Sequence, residues 1–493
     1  MKYIKGFLLL IVSSLIFSSC DDFLTTDPES QYSEEGAYKT QADFEYAITG
    51  VYAKQQELYG GISDWFWVMN ERSDDIRYFS NMQYHHYGVF TDGDDEAYAR
   101  TFWADFWTII SRSNFILDRI DVKTFNDSEA KNNIKGEALA LRAWAYYSLA
   151  WQYGGMPLID NSKLSIDEVK KIARSTQKET FDFAEKDFLA AIDLLPTEWT
   201  GDNSGRVTKY AAMGVLSRMY MFMGEYSKAK PYLASIVNSG LYQMAPKYED
   251  CFNDKYDNNP SYDRLWYVQF TGGELGEGQS LSGRLLYGDG GGLLPYAANN
   301  EASQVSQDMV AAYEEGDLRK DQSIVTGLAR SGVVDDVYYY VRKFAAYTYV
   351  PKSESDWANN IPIIRYTDVI MMLSEVLNEE GYVADGEAFQ LLNKVRTRAG
   401  LPLLTSAEVV DQTAFRNAII KERQVEFAFE GLRWYDLIRF GIAESVMNKH
   451  FAEVDEGSGS FSMDGEYRKL FAIPFDEITR YNDESIMWQN PGY

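Results

Sequence analysis

Histidine and cysteine are almost absent from this chain, which has three histidines and two cysteines among 493 residues. Neither a His-Glu-x-x-His motif nor a paired cysteine spacing is present, so neither a zinc site nor any other cofactor site is expected. Basic residues are also scarce, with 47 lysines and arginines against 74 aspartates and glutamates, which gives a net charge of −27. This acidity argues against a nucleic-acid ligand, because phosphates must be neutralised by basic groups. It also disfavours strongly anionic ligands and recruitment by anionic lipid headgroups.

A long hydrophobic run is missing at the N-terminus, where the apolar residues 6–17 are too few to cross a bilayer as a helix. A basic start precedes this run and Ser18-Ser19-Cys20 follows it, an order that resembles the signal of bacterial lipoproteins. We therefore expect residues 1–19 to be cleaved and Cys20 to carry the lipid anchor. The alternative is an ordinary secretory signal that happens to end in a cysteine.

The acidic pair Asp21-Asp22 resembles the export tag that sends lipoproteins of Bacteroidetes-type bacteria to the outer cell surface. It predicts a protein that is lipid-anchored in the outer membrane and faces the medium. Once Cys20 is lipidated, Cys251 has no partner, so no disulfide is expected.

Aromatic residues are the marked excess, at 15% of the chain with 36 tyrosines and 11 tryptophans. Tyrosine and tryptophan combine a flat apolar face with a polar edge. The excess therefore fits a packed interior and equally an exposed binding surface.

The interior of the chain has helical periodicity. Between 205 and 240, small and apolar residues follow the offsets of the 34-residue helix-turn-helix repeat of the tetratricopeptide type, with a tight turn at Gly224. Ser217 and Ala229 are small enough to let the two helices approach closely. Further helix pairs are predicted near 41–120, 134–196, 363–400 and 412–441. Because such repeats bury their faces only by stacking, we predict a mainly α fold, a tetratricopeptide-like α/α superhelix.

Three long segments interrupt these helices, at 59–97, 248–302 and 324–362, and they are rich in Gly, Asn, Asp and Tyr. Alternating patterns at 265–270 and 337–341 predict short β-strands inside them. Loops of this length in a compact protein are usually functional or disordered, and the strand patterns favour function. We expect an N-terminal tether at 20–40 and one domain at 41–493, on which the three segments form a loop-rich ligand face.

These pieces together resemble one family, the SusD/RagB-type nutrient-binding lipoproteins. The resemblance extends from the lipid cysteine to the last residue. It is carried by six motifs, which are 142–147 (RAWAYY), 154–159 (GGMPLI), 205–212 (GRVTKYAA), 364–369 (IRYTDV), 393–400 (NKVRTRAG) and 422–439 (ERQVEFAFEGLRWYDLIR). The ending, with 473–474 (IP), 477–478 (EI) and 489–493 (QNPGY), is also similar to the family's C-terminus.

The resemblance implies a non-catalytic surface lipoprotein that binds a glycan and closes a SusC-like TonB-dependent outer-membrane transporter as a lid. It also implies that the helical repeats face the transporter and that a loop-rich face presents aromatic residues to sugar. The residues alone support a narrower statement, an extracellular repeat scaffold with aromatic loops.

The charged motif at 421–439 is interpreted as structural. Its glutamates recur at helical spacing, and its arginines are available to pair with carboxylates and lock helix ends together. No nucleophile or base of distinct character lies beside them, so we do not expect a catalytic site here.

The candidate ligand residues lie mainly in the first long segment. An aromatic plane can cover the apolar face of a sugar ring while polar groups bond its hydroxyls. Trp103, Phe106 and Trp107 lie at helical spacing and are expected in the core. The proposed glycan-binding residues are Trp65, Trp67, Asp74, Arg77, Tyr78, Asn81 and Tyr84, with Tyr287, Tyr296 and Asn299 as the opposite wall.

Two other functions remain open on the sequence. A tetratricopeptide-like scaffold that binds only protein or peptide partners is the stronger rival. A glycoside hydrolase would need two carboxylates across a cleft, and Asp74-Asp75 and Asp94-Asp95-Glu96 are the available acids. The alternate spacing of Asp92, Asp94 and Glu96 faintly resembles a calcium loop, but Ala97 stands where that loop needs glycine, so a solvated acidic turn is expected.

Overall fold

A computed structural model describes residues 38–60, 65–77, 85–296, 304–454, 461–463 and 465–493. The chain in these ranges is mainly helical. The α-helices are α1 Gln41–Tyr59, α2 Trp65–Glu71, α3 His85–Gly88, α4 Ala97–Ile120, α5 Ser128–Tyr153, α6 Ile166–Val169, α7 Gln177–Leu194, α8 Lys209–Phe222, α9 Tyr226–Asn238, α10 Leu281–Arg284, α11 Gln307–Ala312, α12 Lys320–Ser323, α13 Tyr366–Glu380, α14 Glu387–Arg398, α15 Gln412–Glu426, α16 Arg433–Arg439, α17 Ala443–Val454 and α18 Phe475–Tyr481. Within the described ranges, none of these helices combines the length and apolarity that crossing a membrane would need.

Within the same described ranges, the strands are short and belong to three small antiparallel sheets. They are β1 Ile76–Arg77, β2 Arg264–Val268, β3 Gln304–Val305, β4 Ile324–Val325, β5 Leu328–Arg330, β6 Val333–Asp335, β7 Tyr340–Val341 and β8 Ile361–Arg365. The sheet orders are β1-β3-β7-β4, β2-β8 and β5-β6. The strands predicted at 265–270 and 337–341 are thus present, the second one shortened to two residues.

Four helix pairs form a continuous stack, which confirms the predicted repeat scaffold. Within the pairs, α1 packs on α4, α5 on α7, α8 on α9 and α13 on α14. Between the pairs, α4 packs on α5, α7 on α8 and α9 on α13. Each pair therefore buries its open face against the next one, as a repeat array requires.

The pair α8–α9 illustrates how the sequence specifies a repeat. The Thr208 side chain accepts a hydrogen bond from the Ala211 N–H at the start of α8. Gly224 adopts φ +72°, a left-handed conformation that glycine takes without strain, and turns the chain into α9. Ser217 and Ala229 are fully buried, so small side chains do lie where the two helices meet.

The predicted pair at 412–441 differs from this arrangement. Both helices form, but α15 packs on α13 and α11, whereas α16 packs on α17 and α2. The chain between them passes through Phe429 and Gly431, both with positive φ, and so leaves the repeat path. The ion pair of Arg433 with Asp74 binds α16 to the segment before β1 instead.

Apart from Lys421, which is exposed, the other charged side chains of 421–439 are also buried and paired, as their interpretation as structural residues requires. Arg365 donates to Asp263, Glu426 and Glu430. Although burial acts in the opposite direction, Arg398 and Arg365 lower the pKa of Glu426 to about 2. Burial lowers the pKa of Lys343 to about 8, although Glu430 opposes the shift. This charge cluster ties α15 to the segments at 248–268 and 340–365, which form the loop-rich part of the molecule.

One part of the predicted loop at 59–97 is helical instead. All seven residues of α2, Trp65–Glu71, are buried, so no side of the helix faces water. A helix that is apolar all round shows no 3.6-residue alternation, which is why its sequence resembles an aromatic loop.

Candidate functional site

A second, smaller apolar cluster lies beside the main core, where the four-stranded sheet meets the glycine-rich segment. Its buried members are Leu286, Leu294, Leu328, Tyr340, Ala345 and Trp357. Tyr287, Tyr296 and Tyr338 pack against it and are only half-buried. We call these three tyrosines, together with the half-buried Arg77, the tyrosine surface.

Strand pairing places Arg77 on this surface. In the antiparallel pair β1–β3, Ile76 lies opposite Val305 and Arg77 opposite Gln304. Gln304 in turn lies opposite Tyr340 of β7. The guanidinium of Arg77 lies 4.8 Å from the centre of the Tyr338 ring, a cation–π contact that holds both groups together. Residues that are more than 220 positions apart in sequence thus become neighbours.

Tyr287 is held in position by a stacking contact. Its ring lies parallel to that of Tyr340, with centroids 4.5 Å apart and an angle of 9° between the planes. The next residue, Gly288, has φ +60°, and a Cβ there would stand 1.7 Å from the carbonyl oxygen of Ala329. The adjacent Asp289 N–H donates to that same oxygen at 2.8 Å. Glycine is therefore needed for this segment to lie directly on β5.

Tyr296 is fixed by its hydroxyl oxygen, which accepts a hydrogen bond of 3.0 Å from Nε1 of Trp357. Burial raises the pKa of Tyr296 to about 12, so the phenol is neutral at physiological pH. Trp357 is fully buried and also contacts the Tyr347 ring edge-on. The half-buried Tyr296 is thus held in place by the buried Trp357.

The arrangement suits a ligand that has both an apolar face and hydroxyl groups. Half-exposed rings provide flat apolar area, while tyrosine hydroxyls and the Arg77 guanidinium provide hydrogen-bonding groups. Over the described part of the chain, no three His, Cys, Asp or Glu side chains are grouped so that they could hold a metal ion. The tyrosine surface therefore offers groups that can bind such a ligand, and its three tyrosines pack against the second apolar cluster.

Two family models match the sequence, and both belong to the same family. The model described as "Starch-binding associating with outer membrane" matches residues 22–221, and the one described as "SusD family" matches residues 326–493, so that together they span more than half of the chain. The chain belongs to the SusD family. A curated relative, the SusD-like protein P2 of Formosa agariphila, is 25% identical over 100% of both chains.

Solved SusD-like structures share the fold. The surface glycan-binding protein A from Bacteroides fluxus superposes with a TM-score of 0.79 at 23% identity, over 92% of this chain and 100% of that one. A structure of the surface glycan-binding protein A from Bacteroides thetaiotaomicron in complex with laminarihexaose gives a TM-score of 0.76 at 20% identity, over 92% and 100% of the two chains. The predicted helical-repeat fold of the SusD family is therefore confirmed.

Three predicted site residues of this SusD-family chain are core residues, and their assignment to the ligand surface is corrected. Trp65 is 7% exposed and donates through Nε1 to Gln152 Oε1 at 2.7 Å. Trp67 is 6% exposed and is covered by the Arg284 guanidinium, 4.9 Å from its ring. Asp74 is buried and accepts two hydrogen bonds from Arg433, at 2.6 and 2.7 Å.

Arg77, Tyr287 and Tyr296 do come together near one surface. Tyr78, Asn81, Tyr84 and Asn299, like Cys20, lie outside the described residues. Their sequence neighbours Arg77, Tyr296 and Gln304 all belong to, or contact, the tyrosine surface. Sequence reasoning missed Tyr338 as a site residue, although the run of three tyrosines at 338–340 inside a predicted strand was an available signal.

The carboxylates considered for hydrolysis or calcium binding are partly engaged elsewhere. Asp75 is fully buried, and burial with the neighbouring Asp74 raises its pKa to about 7. Asp92 is 3% exposed and forms an ion pair of 3.0 Å with Arg72. Asp74 and Asp75 therefore do not face solvent as a catalytic pair would have to, and Asp92 is not presented to a cation.

Trp103 and Phe106 are buried as expected, while Trp107 is half-buried.

Proposed function

We propose that this protein is a cell-surface glycan-binding lipoprotein that captures an oligosaccharide or polysaccharide without cleaving it. The observation that carries the proposal is the convergence of Arg77, Tyr287, Tyr296 and Tyr338 on one half-exposed surface, through strand pairing and the second apolar cluster. Membership of the SusD family, whose matched model is named for starch binding and outer-membrane association, supports the same function. So does the fold shared with a protein that was solved with laminarihexaose.

The proposal has a membrane part. Cys20 carries the lipid that holds the protein in the outer membrane, and the body faces the medium. The captured glycan then passes to a SusC-like TonB-dependent transporter, on which the protein acts as a lid. Tyr78, Asn81, Tyr84 and Asn299 are proposed to complete the ligand surface, since Tyr78 directly follows Arg77 and Asn299 lies between Tyr296 and Gln304 in sequence.

The direct test measures glycan binding by the mature protein made without its lipid. Isothermal titration with a panel of neutral polysaccharides, including starch and laminarin, should give at least one ligand. Tyr287→Ala and Tyr338→Ala should then each weaken that binding about fivefold, because a stacking aromatic group typically contributes about 1 kcal/mol. Tyr46→Ala is the matched control, since Tyr46 is 78% exposed and lies on α1.

Three results would contradict the proposal. Unchanged affinity in both surface variants would remove the tyrosine surface as the glycan site. Absence of binding to every glycan, with association to the transporter retained, would favour the scaffold that binds only protein. Release of reducing ends from a bound polysaccharide would show catalysis and overturn the non-catalytic role.

A further inference from the structure

A groove of about 660 Å³ lies between α4, the loop at 159–170 and the C-terminal segment, and it shares no lining residue with the tyrosine surface. Its wall is apolar, with the aliphatic side chains of Ile159, Leu164, Ile166 and Val169 beside the aromatic rings of Trp103, Trp107, Phe115 and Tyr481. Ile166 is 74% exposed. An exposed apolar groove of this kind fits the apolar side chains of a peptide segment.

The described chain begins at one end of this groove. The ring of Tyr38 lies 5.6 Å from the guanidinium of Arg119, which also covers the ring of Phe115 at 4.8 Å. Arg119 donates to Ser162 Oγ at 2.8 Å. Phe115 and Ser162 both line the groove. The residues that precede Tyr38 therefore enter the molecule next to it.

The preceding sequence is complementary to the groove in charge and hydropathy. Residues 21–37 (DDFLTTDPESQYSEEGA) contain six acidic and no basic residues, with Phe23 and Leu24 as an apolar pair. The charged groove residues are mainly basic, namely Arg112, Lys170 and Arg480 beside Glu477. Among the described residues, Lys170 forms no ion pair, so its charge is available.

The length of the segment is sufficient. The 16 residues from Phe23 to Tyr38 span up to about 50 Å when extended, and Pro28 disfavours a helical conformation of the residue before it. The groove follows α4 from Phe115 back to Trp103, which is about 18 Å along the helix axis. The segment can therefore follow the whole groove and still present Phe23 and Leu24 to it.

We propose that residues 22–37 of this chain lie in the groove, with Phe23 and Leu24 as their apolar anchors. The match to the family model begins at residue 22 and so includes this segment. The lipid on Cys20 is part of the proposed function, and this step rests on it. With Phe23 bound in the groove, only two residues separate it from the lipidated Cys20. The groove side of the body is then held close to the membrane.

Hydrogen–deuterium exchange of the full mature chain tests this proposal. In the parent protein, amides at 22–37 and 159–170 should exchange at least about tenfold more slowly than in the double variant Phe23→Ala/Leu24→Ala. The double variant Thr25→Ala/Thr26→Ala is the matched control and should keep the protection. Ile166→Asp should release the segment, while Val383→Asp, at a position that is 64% exposed on the α13–α14 loop, should not.

Several outcomes would overturn the proposal. One is that the segment 22–37 exchanges as fast in the parent as in an unfolded peptide, and another is that it stays equally protected in Ile166→Asp. Protection of 159–170 only after addition of laminarin or starch would assign the groove to a glycan, and protection that depends on protein concentration would assign it to a second copy. Tyr287→Ala leaves the groove intact, so a failed glycan site would not change the exchange of 22–37, and the two proposals fail separately.

Discussion

At the scale of single residues, Glu137 makes the stability of the protein depend on pH. Its carboxylate is fully buried in α5, where it accepts a hydrogen bond of 2.8 Å from the Tyr52 hydroxyl. Burial raises the pKa of Glu137 from 4.5 to about 7, although Arg206 opposes the shift. Because the folded state binds this proton more tightly than the unfolded state, its contribution to stability is present below about pH 4.5 and is lost as pH rises to about 7.

Glu137→Gln should therefore flatten the pH dependence of unfolding. Between pH 5 and pH 8, the loss of Glu137 protonation should lower the free energy of unfolding of the parent. In the variant this decrease should be smaller by roughly 2–3 kcal/mol, since one pKa unit corresponds to about 1.4 kcal/mol. Urea denaturation at several pH values measures this difference. Glu129→Gln changes an exposed carboxylate on the same helix and is the control. An equal slope in parent and Glu137→Gln would rule out this residue as the source.

The residue scale is also where sequence reasoning has least information. Trp65 and Tyr287 both lie in aromatic, loop-like sequence, yet Trp65 is 7% exposed while Tyr287 is half-buried at the surface. An amphipathic ring suits either environment, so residue type does not decide between them. The decision is made by distant partners, Gln152 for Trp65 and Tyr340 for Tyr287.

At the scale of elements, the glycine-rich segment determines where Tyr287 lies. Gly288→Ala places a Cβ 1.7 Å from the Ala329 carbonyl oxygen, so the segment must move away from β5. We expect glycan affinity to fall about fivefold through displacement of Tyr287, with a loss of global stability of about 1–3 kcal/mol. Titration with the bound glycan and urea denaturation measure the two effects.

Gly292→Ala separates the clash from the backbone effect. Gly292 also has positive φ, +83°, but a Cβ there would meet no atom within 4 Å. The two variants share the cost of a left-handed alanine, so a much larger loss of affinity in Gly288→Ala belongs to the displaced segment. Equal affinities in the two variants would show that close packing on β5 does not position Tyr287.

Elements with regular periodicity could be predicted, and elements without it could not. The pair α8–α9 follows from its spacing and from Gly224, and the pair α13–α14 follows in the same way. The helix α2 is buried on all sides and has no alternation to detect. The partners of α15 and α16 depend on ion pairs such as Arg433–Asp74, which join residues 359 positions apart and leave no local signal.

At the scale of the whole molecule, the site is assembled from distant parts of the chain. Arg77 comes from the first long segment, Tyr287 and Tyr296 from the second, and Tyr338 from the third. The pairings β1–β3 and β3–β7 bring the first and third segments together. The second long segment joins them through the smaller apolar cluster, against which Tyr287 and Tyr296 pack. The sequence indicates that these segments carry the ligand face, but the residues that meet depend on strand register, which short irregular strands do not specify.

The net charge of −27 predicts which glycans this surface accepts. Charge on the whole molecule acts over about 30 Å at 0.01 M salt and about 8 Å at 0.15 M, so it repels polyanions most strongly at low salt. Ring stacking and hydrogen bonds to a neutral sugar do not have this dependence. We therefore expect the Kd for a neutral glycan to change less than about twofold between 10 and 300 mM NaCl, whereas an anionic polysaccharide such as alginate should bind more weakly at 10 mM. Titrations at both salt concentrations measure this. Tighter binding of the polyanion at low salt would indicate a local basic site that outweighs the net charge, with Arg77 as the first residue to replace.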